Sequence, residues 1–157
     1  MPARRVGQLL KEKNLTVSVA ESCTGGRIGD MMTDLPGSSD YFLGGVISYS
    51  NDAKIRLLCV DKATLILNGA VSREVAIQMA DGARKMLRSD IGVSVTGIAG
   101  PSGGTPKKPV GLVYIAVSSK AGSMCSKNLF KGPRVEIKQK SAVKALKMLE
   151  EFVTRRH

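Results

Sequence analysis

The stretch AESCTGG, residues 20–26, organises the predicted fold. It follows the alternating apolar segment 15–20, which predicts a buried strand, and precedes residues 27–32, whose apolar side chains suit one face of a helix. A strand that breaks into Ser-Cys-Thr-Gly-Gly before a helix predicts a sharp turn at the carboxyl end of a sheet, where open α/β sheets bind ligands. Ser22 and Thr24 supply hydroxyl groups there. The simpler alternative is that either one only caps the helix and the glycines only form a tight turn.

The rest of the chain alternates between helical and extended patterns. Helices are predicted at residues 3–13, 25–33, 51–58, 62–67, 72–87 and 135–157, and strands at residues 15–20, 41–49, 91–96, 110–118 and 124–130. Because the helices fall between and after the strands, and the last two strands resemble a hairpin, the pattern predicts a three-layer α/β/α sandwich with a mixed sheet.

Length and composition indicate one globular unit. The 157 residues are the usual size of a single domain, so we expect residues 1–157 to form one. No run of 18 apolar residues is present, and the first 14 residues resemble an amphipathic helix without the apolar core of a signal peptide. We therefore expect no membrane association and a cytoplasmic location.

The histidine and cysteine content narrows the catalytic chemistry. The three cysteines, Cys23, Cys59 and Cys125, are far apart in sequence and form no C-x-x-C pair, and the only histidine is the last residue, His157. This composition argues against Ser-His-Asp and Cys-His catalysis and against metal sites built from histidine. A hydrolase of this sequence must use another general base.

The positive charge is concentrated in the last third of the chain. The formal net charge is +11, and residues 107–157 hold 12 Lys and Arg against 3 Asp and Glu. Much of this charge lies on residues 135–157, opposite an apolar stripe, which is typical of a solvated helix face. Aromatic residues are only 4% of the chain and are not interleaved with the basic ones. We therefore expect no specific nucleic-acid partner, although the same field would attract a small anionic substrate.

Two further stretches lie where strands are predicted to end. The loop VTGIAGPSGG, residues 95–104, contains four glycines, so its N–H groups could surround an anion or a carbonyl, or the loop could be only a structural turn. It matches neither a P-loop nor a dinucleotide fingerprint. The stretch SYSNDAK, residues 48–54, places Lys54 one turn into a helix, pointing either into a cleft or to solvent. Without a usable histidine, a desolvated lysine is the remaining base for a serine nucleophile, which suggests a Ser-Lys hydrolase.

These three stretches, together with KPVGLVYIA at residues 108–116, resemble the CinA C-terminal domain family over roughly residues 6–152. Enzymatic members of that family are nicotinamide mononucleotide deamidases, which convert the carboxamide of the nucleotide to the acid and release ammonia. The resemblance implies the three-layer α/β/α domain and a cytoplasmic amidohydrolase of pyridine nucleotide salvage that needs no metal or organic cofactor. Many relatives carry an additional N-terminal domain, and this chain is similar to the stand-alone form.

The resemblance assigns roles residue by residue. Ser22 matches the nucleophile and Lys54 the general base. Tyr49 and Thr96 match positions that line the substrate or orient the catalytic pair, and Arg134 matches the basic residue after the last strand. The main-chain N–H groups of Thr24, Gly25 and Gly26, in a turn at a helix N-terminus, are the expected oxyanion donors. Arg134 and the loop from Gly97 to Gly100 would hold the ribose and phosphate of nicotinamide mononucleotide.

One departure from the family pattern affects Arg134. Gly132-Pro133-Arg134 stands where Gly-Asp-Arg is common, and proline removes a backbone donor and fixes φ. Two alternatives therefore stay open, a catalytically silent domain that binds a nucleotide as a regulator and an amidohydrolase of another nucleotide. The antiparallel sheet edge and the apolar helices also make a homodimer the expected assembly.

Overall fold

The computed structural model describes residues 1–157. Its helices are α1 (Pro2–Glu12), α2 (Arg27–Thr33), α3 (Asn51–Leu58), α4 (Lys62–Asn68), α5 (Arg73–Leu87) and α6 (Arg134–Arg156), and its strands are β1 (Val17–Glu21), β2 (Phe42–Ile47), β3 (Ile91–Gly97), β4 (Leu112–Ser119) and β5 (Gly122–Leu129). A short 3-10 helix, Ser38–Asp40, precedes β2. Every predicted helix and strand is present. None of the helices is both long and apolar enough to cross a membrane.

The five strands form one mixed sheet in the order β2-β1-β3-β4-β5. β1 pairs in parallel with both β2 and β3, whereas β3, β4 and β5 are successively antiparallel. The predicted mixed sheet and terminal hairpin are thus confirmed. β4 begins at Leu112, two residues later than predicted, because Gly111 has a φ of 93°, outside the range of an extended strand.

Helices cover both faces of the sheet, which confirms the three-layer architecture. On one face, α1, α2 and α6 enclose the larger core, to which β1 contributes Val17 and Val19. On the other face, α5 lies against the sheet with α3 and α4 beside it, and Ala20 of β1 packs among them. Because successive side chains of a strand point to opposite faces, the apolar residues of β1 serve both cores. The carboxyl ends of β1 and β3 meet at one edge of the sheet.

The helix α6 follows the pattern predicted from its apolar stripe. Its buried side chains are Ile137, Ser141, Ala142, Ala145, Leu146, Met148, Leu149, Phe152 and Val153. Lys140 and Lys147 lie on the exposed side, so part of the positive charge of this helix faces solvent.

Close backbone packing of α5 positions α3. Gly82, in the middle of α5, faces the carbonyl group of Leu58 at the end of α3, and a Cβ atom at this glycine would overlap that carbonyl. The absence of a side chain at Gly82 therefore sets the distance between the two helices, and α3 carries Lys54.

We expect Gly82→Ala to destabilise the protein by about 2 kcal/mol, because the added methyl group must push α3 away from α5. Helix propensity alone predicts the opposite sign, a gain of about 1 kcal/mol. Thermal unfolding checks this, with Gly29→Ala in α2 as the matched control, since a Cβ there would lie 3.5 Å from its nearest neighbour in ordinary contact. An unchanged or raised Tm for Gly82→Ala would show that the two helices have room to separate.

Candidate active site

The turn between β1 and α2 places Ser22 at the carboxyl edge of the sheet. Its N–H donates to Val95 O at 3.0 Å, which ties the turn to the neighbouring strand β3. Gly25 and Gly26 have φ values of 61° and 108°, a region that glycine adopts without strain, and they complete the sharp change of direction into α2. Ser22 itself is 8% exposed, so its hydroxyl group faces a sheltered cavity.

Lys54 reaches Ser22 from α3. Ser50 caps this helix by accepting the N–H of Ala53 at 3.0 Å, which fixes where the first turn begins. The Nζ atom of Lys54 lies 2.9 Å from Ser22 Oγ and donates to Ser48 O at 2.6 Å. The sequence alone left open whether Lys54 points into a cleft or to solvent. In the structure its side chain points inward and contacts the serine.

The Lys54 amine is buried without a counterion. The residue is 1% exposed, and no carboxylate lies within ion-pair distance of its Nζ atom. Burial penalises the charged ammonium form and lowers the pKa of Lys54 to about 8. A substantial fraction of this lysine is therefore neutral near physiological pH and able to accept a proton.

Cys23 lies next to Ser22 but has the opposite character. It is 6% exposed, and burial raises the pKa of its thiol to about 11. The thiol is therefore protonated at neutral pH, and a protonated thiol is a poor nucleophile. The hydroxyl group in contact with the Lys54 amine belongs to Ser22.

A cavity of about 270 Å³ opens beside the Ser22–Lys54 pair. Six of the nine predicted site residues line it, namely Ser22, Tyr49, Lys54, Thr96, Gly97 and Arg134. The other three, Thr24, Gly25 and Gly26, are not among its lining residues. They form the turn that follows Ser22.

Nine further residues line the cavity, three of them in the Gly97 to Gly100 loop that was expected to hold the ribose and phosphate. They are Cys23, Asn51, Ala70, Val71, Ile98, Ala99, Gly100, Ser102 and Gly103. Asn51 lies in the stretch SYSNDAK, so its position beside Lys54 could have been predicted from the sequence. Ala70 and Val71 had no local signal, because they reach the cavity only through the path of the chain between α4 and α5.

Thr96 and Arg134 hold the cavity walls together. Thr96 Oγ1 donates to Ala70 O at 2.9 Å, which joins the end of β3 to the segment before α5. The guanidinium of Arg134 donates to Gly100 O at 2.8 Å and to the Tyr49 hydroxyl at 2.9 Å. Arg134 therefore spans the cavity mouth from α6 to two separate loops.

Pro133 does not displace Arg134 from the cavity. The proline occupies the N-cap position of α6 with φ −67° and ψ 163°, and its carbonyl accepts the N–H of Ile137 at 3.1 Å. A residue at this position needs no N–H donor inside the helix, so the missing donor of proline leaves the helix start intact. The departure from the family pattern is thus structurally tolerated.

Several backbone N–H groups around the cavity have no hydrogen-bond partner. In the turn after Ser22, Gly25 donates to Ser22 O at 3.1 Å, whereas Cys23, Thr24 and Gly26 donate to no other residue. In the loop after β3, the N–H groups of Ala99, Gly100, Ser102 and Gly103 are likewise unpaired within the protein. Unpaired N–H groups at a concave surface are suited to bind a developing oxyanion or a bound anion.

Comparisons of the sequence with known proteins all point to one family. The model of the CinA C-terminal domain family matches residues 2–153. A "CinA-like protein" from Geotalea uraniireducens is 53% identical over 133 residues, which are 85% of this chain and 32% of that protein. The chain thus spans about a third of the length of this curated relative.

Solved structures match over nearly their whole length. The competence/damage inducible protein CihA from Agrobacterium tumefaciens is 42% identical with a TM-score of 0.94, covering 98% of this chain and 94% of that one. The competence damage-inducible protein A (ComA) from Klebsiella pneumoniae is 28% identical with a TM-score of 0.96, covering 99% and 97%.

We expect the buried amine of Lys54 to make stability depend on pH. The folded pKa of about 8 lies below the ordinary value of 10.5, so between these pH values the unfolded chain binds more protons and the folded state gains stability as the pH rises. At pH 7 the folded wild type bears the cost of burying the Lys54 ammonium group, whereas Lys54→Met has no ammonium group to bury. It should therefore unfold several degrees above wild type at pH 7, and this difference should narrow as the pH approaches 10.5.

Thermal unfolding of both proteins across this range measures the effect, and NMR titration of isotope-labelled lysine side chains reports the Lys54 pKa directly. Lys62→Met, on the exposed side of α4, controls for the loss of a positive charge. A constant difference between Lys54→Met and wild type from pH 7 to 10.5 would contradict the lowered pKa.

Proposed function

The chain belongs to the CinA C-terminal domain family, and from this premise we propose that it is a nicotinamide mononucleotide deamidase with Ser22 as nucleophile and Lys54 as general base. The observation that carries the proposal is the contact of 2.9 Å between Lys54 Nζ and Ser22 Oγ, made by an amine that is buried without a counterion. A structural lysine would be expected to have a carboxylate partner or a solvated ammonium group.

In the first half of the reaction, neutral Lys54 accepts the hydroxyl proton as Ser22 Oγ attacks the carboxamide carbon. The tetrahedral intermediate then breaks its C–N bond, and the Lys54 ammonium returns the proton to the departing nitrogen, which leaves as ammonia. The product on the enzyme is an ester between Ser22 and the nicotinoyl group. A lysine with a pKa near 8 suits both transfers, since it accepts and donates a proton near neutral pH.

In the second half, water hydrolyses this ester. Lys54 accepts a proton from the water as the water oxygen attacks the acyl carbon, and returns it to Ser22 Oγ as the ester C–O bond breaks. The acid product leaves and the starting protonation states are restored. No step calls for a metal ion, so the proposed activity should persist in EDTA.

The unpaired N–H groups of Cys23 and Thr24 are our candidates for the oxyanion hole. Both follow Ser22 directly, whereas the N–H of Gly25 is already bonded to Ser22 O and the unpaired N–H of Gly26 lies farther from Ser22 along the chain. Loss of one such donor in comparable sites costs about 3 to 4 kcal/mol of transition-state stabilisation. Of the donors expected from the sequence, the N–H groups of Thr24 to Gly26, this assignment keeps Thr24, leaves out Gly25, which is bonded to Ser22 O, and Gly26, and adds Cys23.

The far end of the cavity suits the phosphate of the nucleotide. Arg134 supplies a planar cation at the mouth, and the loop from Ala99 to Gly103 supplies unpaired N–H groups beside it. Arginine and backbone N–H groups are the usual partners of a phosphate monoester. Binding energy from this remote group would then position the carboxamide at Ser22.

We expect purified protein to release ammonia from nicotinamide mononucleotide in EDTA, and Ser22→Ala and Lys54→Ala each to lower kcat at least about 1,000-fold, because nucleophile and base act as a unit. A coupled ammonia assay measures this. Ser123→Ala in β5 and Lys62→Ala in α4 are the matched controls and should keep wild-type rates.

The outcome separates the alternatives. A wild-type protein that binds the nucleotide without releasing ammonia would leave the fold in a regulatory role. Release of ammonia from a different nucleotide only, lost in both variants, would keep the mechanism and change the substrate.

We expect Arg134→Ala to raise KM for nicotinamide mononucleotide about 10- to 100-fold through loss of a charge-assisted contact with the phosphate. Nicotinamide riboside carries the same carboxamide but no phosphate, so its KM should change much less. Steady-state kinetics on both substrates make the comparison, and Arg155→Ala at the end of α6 controls for net charge. An equal rise for both substrates would assign Arg134 to the cavity walls instead of the phosphate.

A further inference from the structure

Glu21 is a buried carboxylate directly before Ser22 that the proposed mechanism does not use. It is the last residue of β1, directly before Ser22, and is 2% exposed. No lysine or arginine lies within ion-pair distance of it. Burying an ionised carboxylate costs free energy unless hydrogen bonds compensate, so its position calls for an explanation.

Both oxygens of Glu21 are occupied by the first turn of α2. Oε1 accepts the N–H of Ile28 at 2.9 Å, and Oε2 accepts the N–H of Gly29 at 3.0 Å. These are two of the N–H groups that an α-helix leaves without internal partners. The residue at the N-cap position, Gly26, has no side chain to bond them. Glu21 therefore caps the N-terminus of α2, a role that the side chain of the N-cap residue has in an ordinary helix.

The backbone of Glu21 leads to the catalytic pair. Its carbonyl accepts the N–H of Ser48 at 2.9 Å, and the carbonyl of Ser48 accepts the Lys54 amine at 2.6 Å. The side chain of Glu21 thus fixes the far end of the nucleophile turn, and its main chain fixes the strand end that bonds Lys54. Residues 22–26 are held between these two attachments.

The charge of Glu21 also restricts where an oxyanion can bind. A carboxylate at the N-terminus of α2 offsets the positive end of the helix dipole and occupies its N–H groups. Stabilisation of an oxyanion is then left to the unpaired N–H groups within the turn, of which those of Cys23 and Thr24 are next to Ser22 in the chain. Their direction depends on the path of that turn.

We propose that Glu21 is a positioning residue, which aims the N–H groups of Cys23 and Thr24 at the reacting carbonyl by bonding the first turn of α2. This inference rests on the proposed amide hydrolysis. It assigns Glu21 an effect on the transition state and little effect on substrate binding, since Glu21 does not line the cavity.

The test compares Glu21→Gln with Glu21→Asp. Glutamine keeps the size of the side chain but replaces one acceptor oxygen with an NH₂ donor, which would face an N–H group of α2. We expect kcat to fall about 10- to 100-fold with KM within about twofold of wild type, because a small misplacement of donors has effects of this size. Aspartate keeps both acceptors on a shorter side chain, so Glu21→Asp should retain more activity than Glu21→Gln. If Glu21→Gln does not fold, Glu21→Asp must still show a lower kcat at unchanged KM.

Asp61→Asn is the matched control, because Asp61 caps α4 by accepting the N–H of Ala63 at 3.3 Å and lies outside the cavity. It makes the same change from carboxylate to amide at another helix start and should leave kcat unchanged. Hydrogen exchange at Ile28 and Gly29, followed by NMR, reports the loss of the Glu21 bonds independently of activity.

Faster exchange at these two amides with an unchanged kcat would overturn the proposal and leave the deamidase intact. A fall in kcat that Asp61→Asn reproduces would also overturn it, since the effect would then be general destabilisation. Absence of wild-type activity would contradict the deamidase itself, whatever the exchange shows.

Discussion

The burial of one amine without a counterion is the constraint on which the site depends. A lysine ammonium group loses much of its hydration at the position of Lys54. Its only hydrogen-bond partners in the protein are the Ser48 and Tyr49 carbonyls and the Ser22 hydroxyl. The fold must therefore supply the free energy that keeps this side chain inside. The two apolar cores, the cap at Ser50 and the close approach of α5 to α3 are the features that hold it there.

The sheet topology explains why two distant segments meet at this amine. β1 and β3 are parallel neighbours, so the turn after β1 and the loop after β3 open at the same edge. β2 lies on the other side of β1 and runs in the same direction, which brings α3 to that edge as well. Arg134 approaches from α6 on the opposite layer. The cavity therefore lies where both helical layers and three strand ends converge.

Much of the fold was predictable because its signals are local. Strand alternation and the apolar stripe of α6 depend on neighbouring residues, and the structure confirms them. The meeting of Ser22 and Lys54 was predictable for a different reason, since the near absence of histidine left few chemical alternatives and a family motif covered both positions. That residues 1–157 form one domain, and that the chain forms a homodimer, stay predictions.

What the sequence could not reveal depends on chain paths. Nothing local distinguishes Ala70 from any other residue between two helices, yet Thr96 bonds its carbonyl at the cavity wall. Glu21 stood inside the leading motif, but its partners, the N–H groups of Ile28 and Gly29, become apparent only when α2 turns back over the strand end. The sequence likewise could not show that Pro133 is tolerated, because this depends on its being the N-cap residue of α6.

The contrast among the three cysteines has a practical consequence for labelling. Burial raises the pKa values of both Cys23 and Cys125 to about 11, whereas Cys59 is exposed and ends α3 in a left-handed conformation. Because alkylating reagents react with accessible thiolates, Cys59 is the site at which a fluorophore or spin label attaches first. The probe would then lie at the end of the helix that carries Lys54. Movements of the helix that carries Lys54, the proposed general base, could be followed in the otherwise unmodified chain.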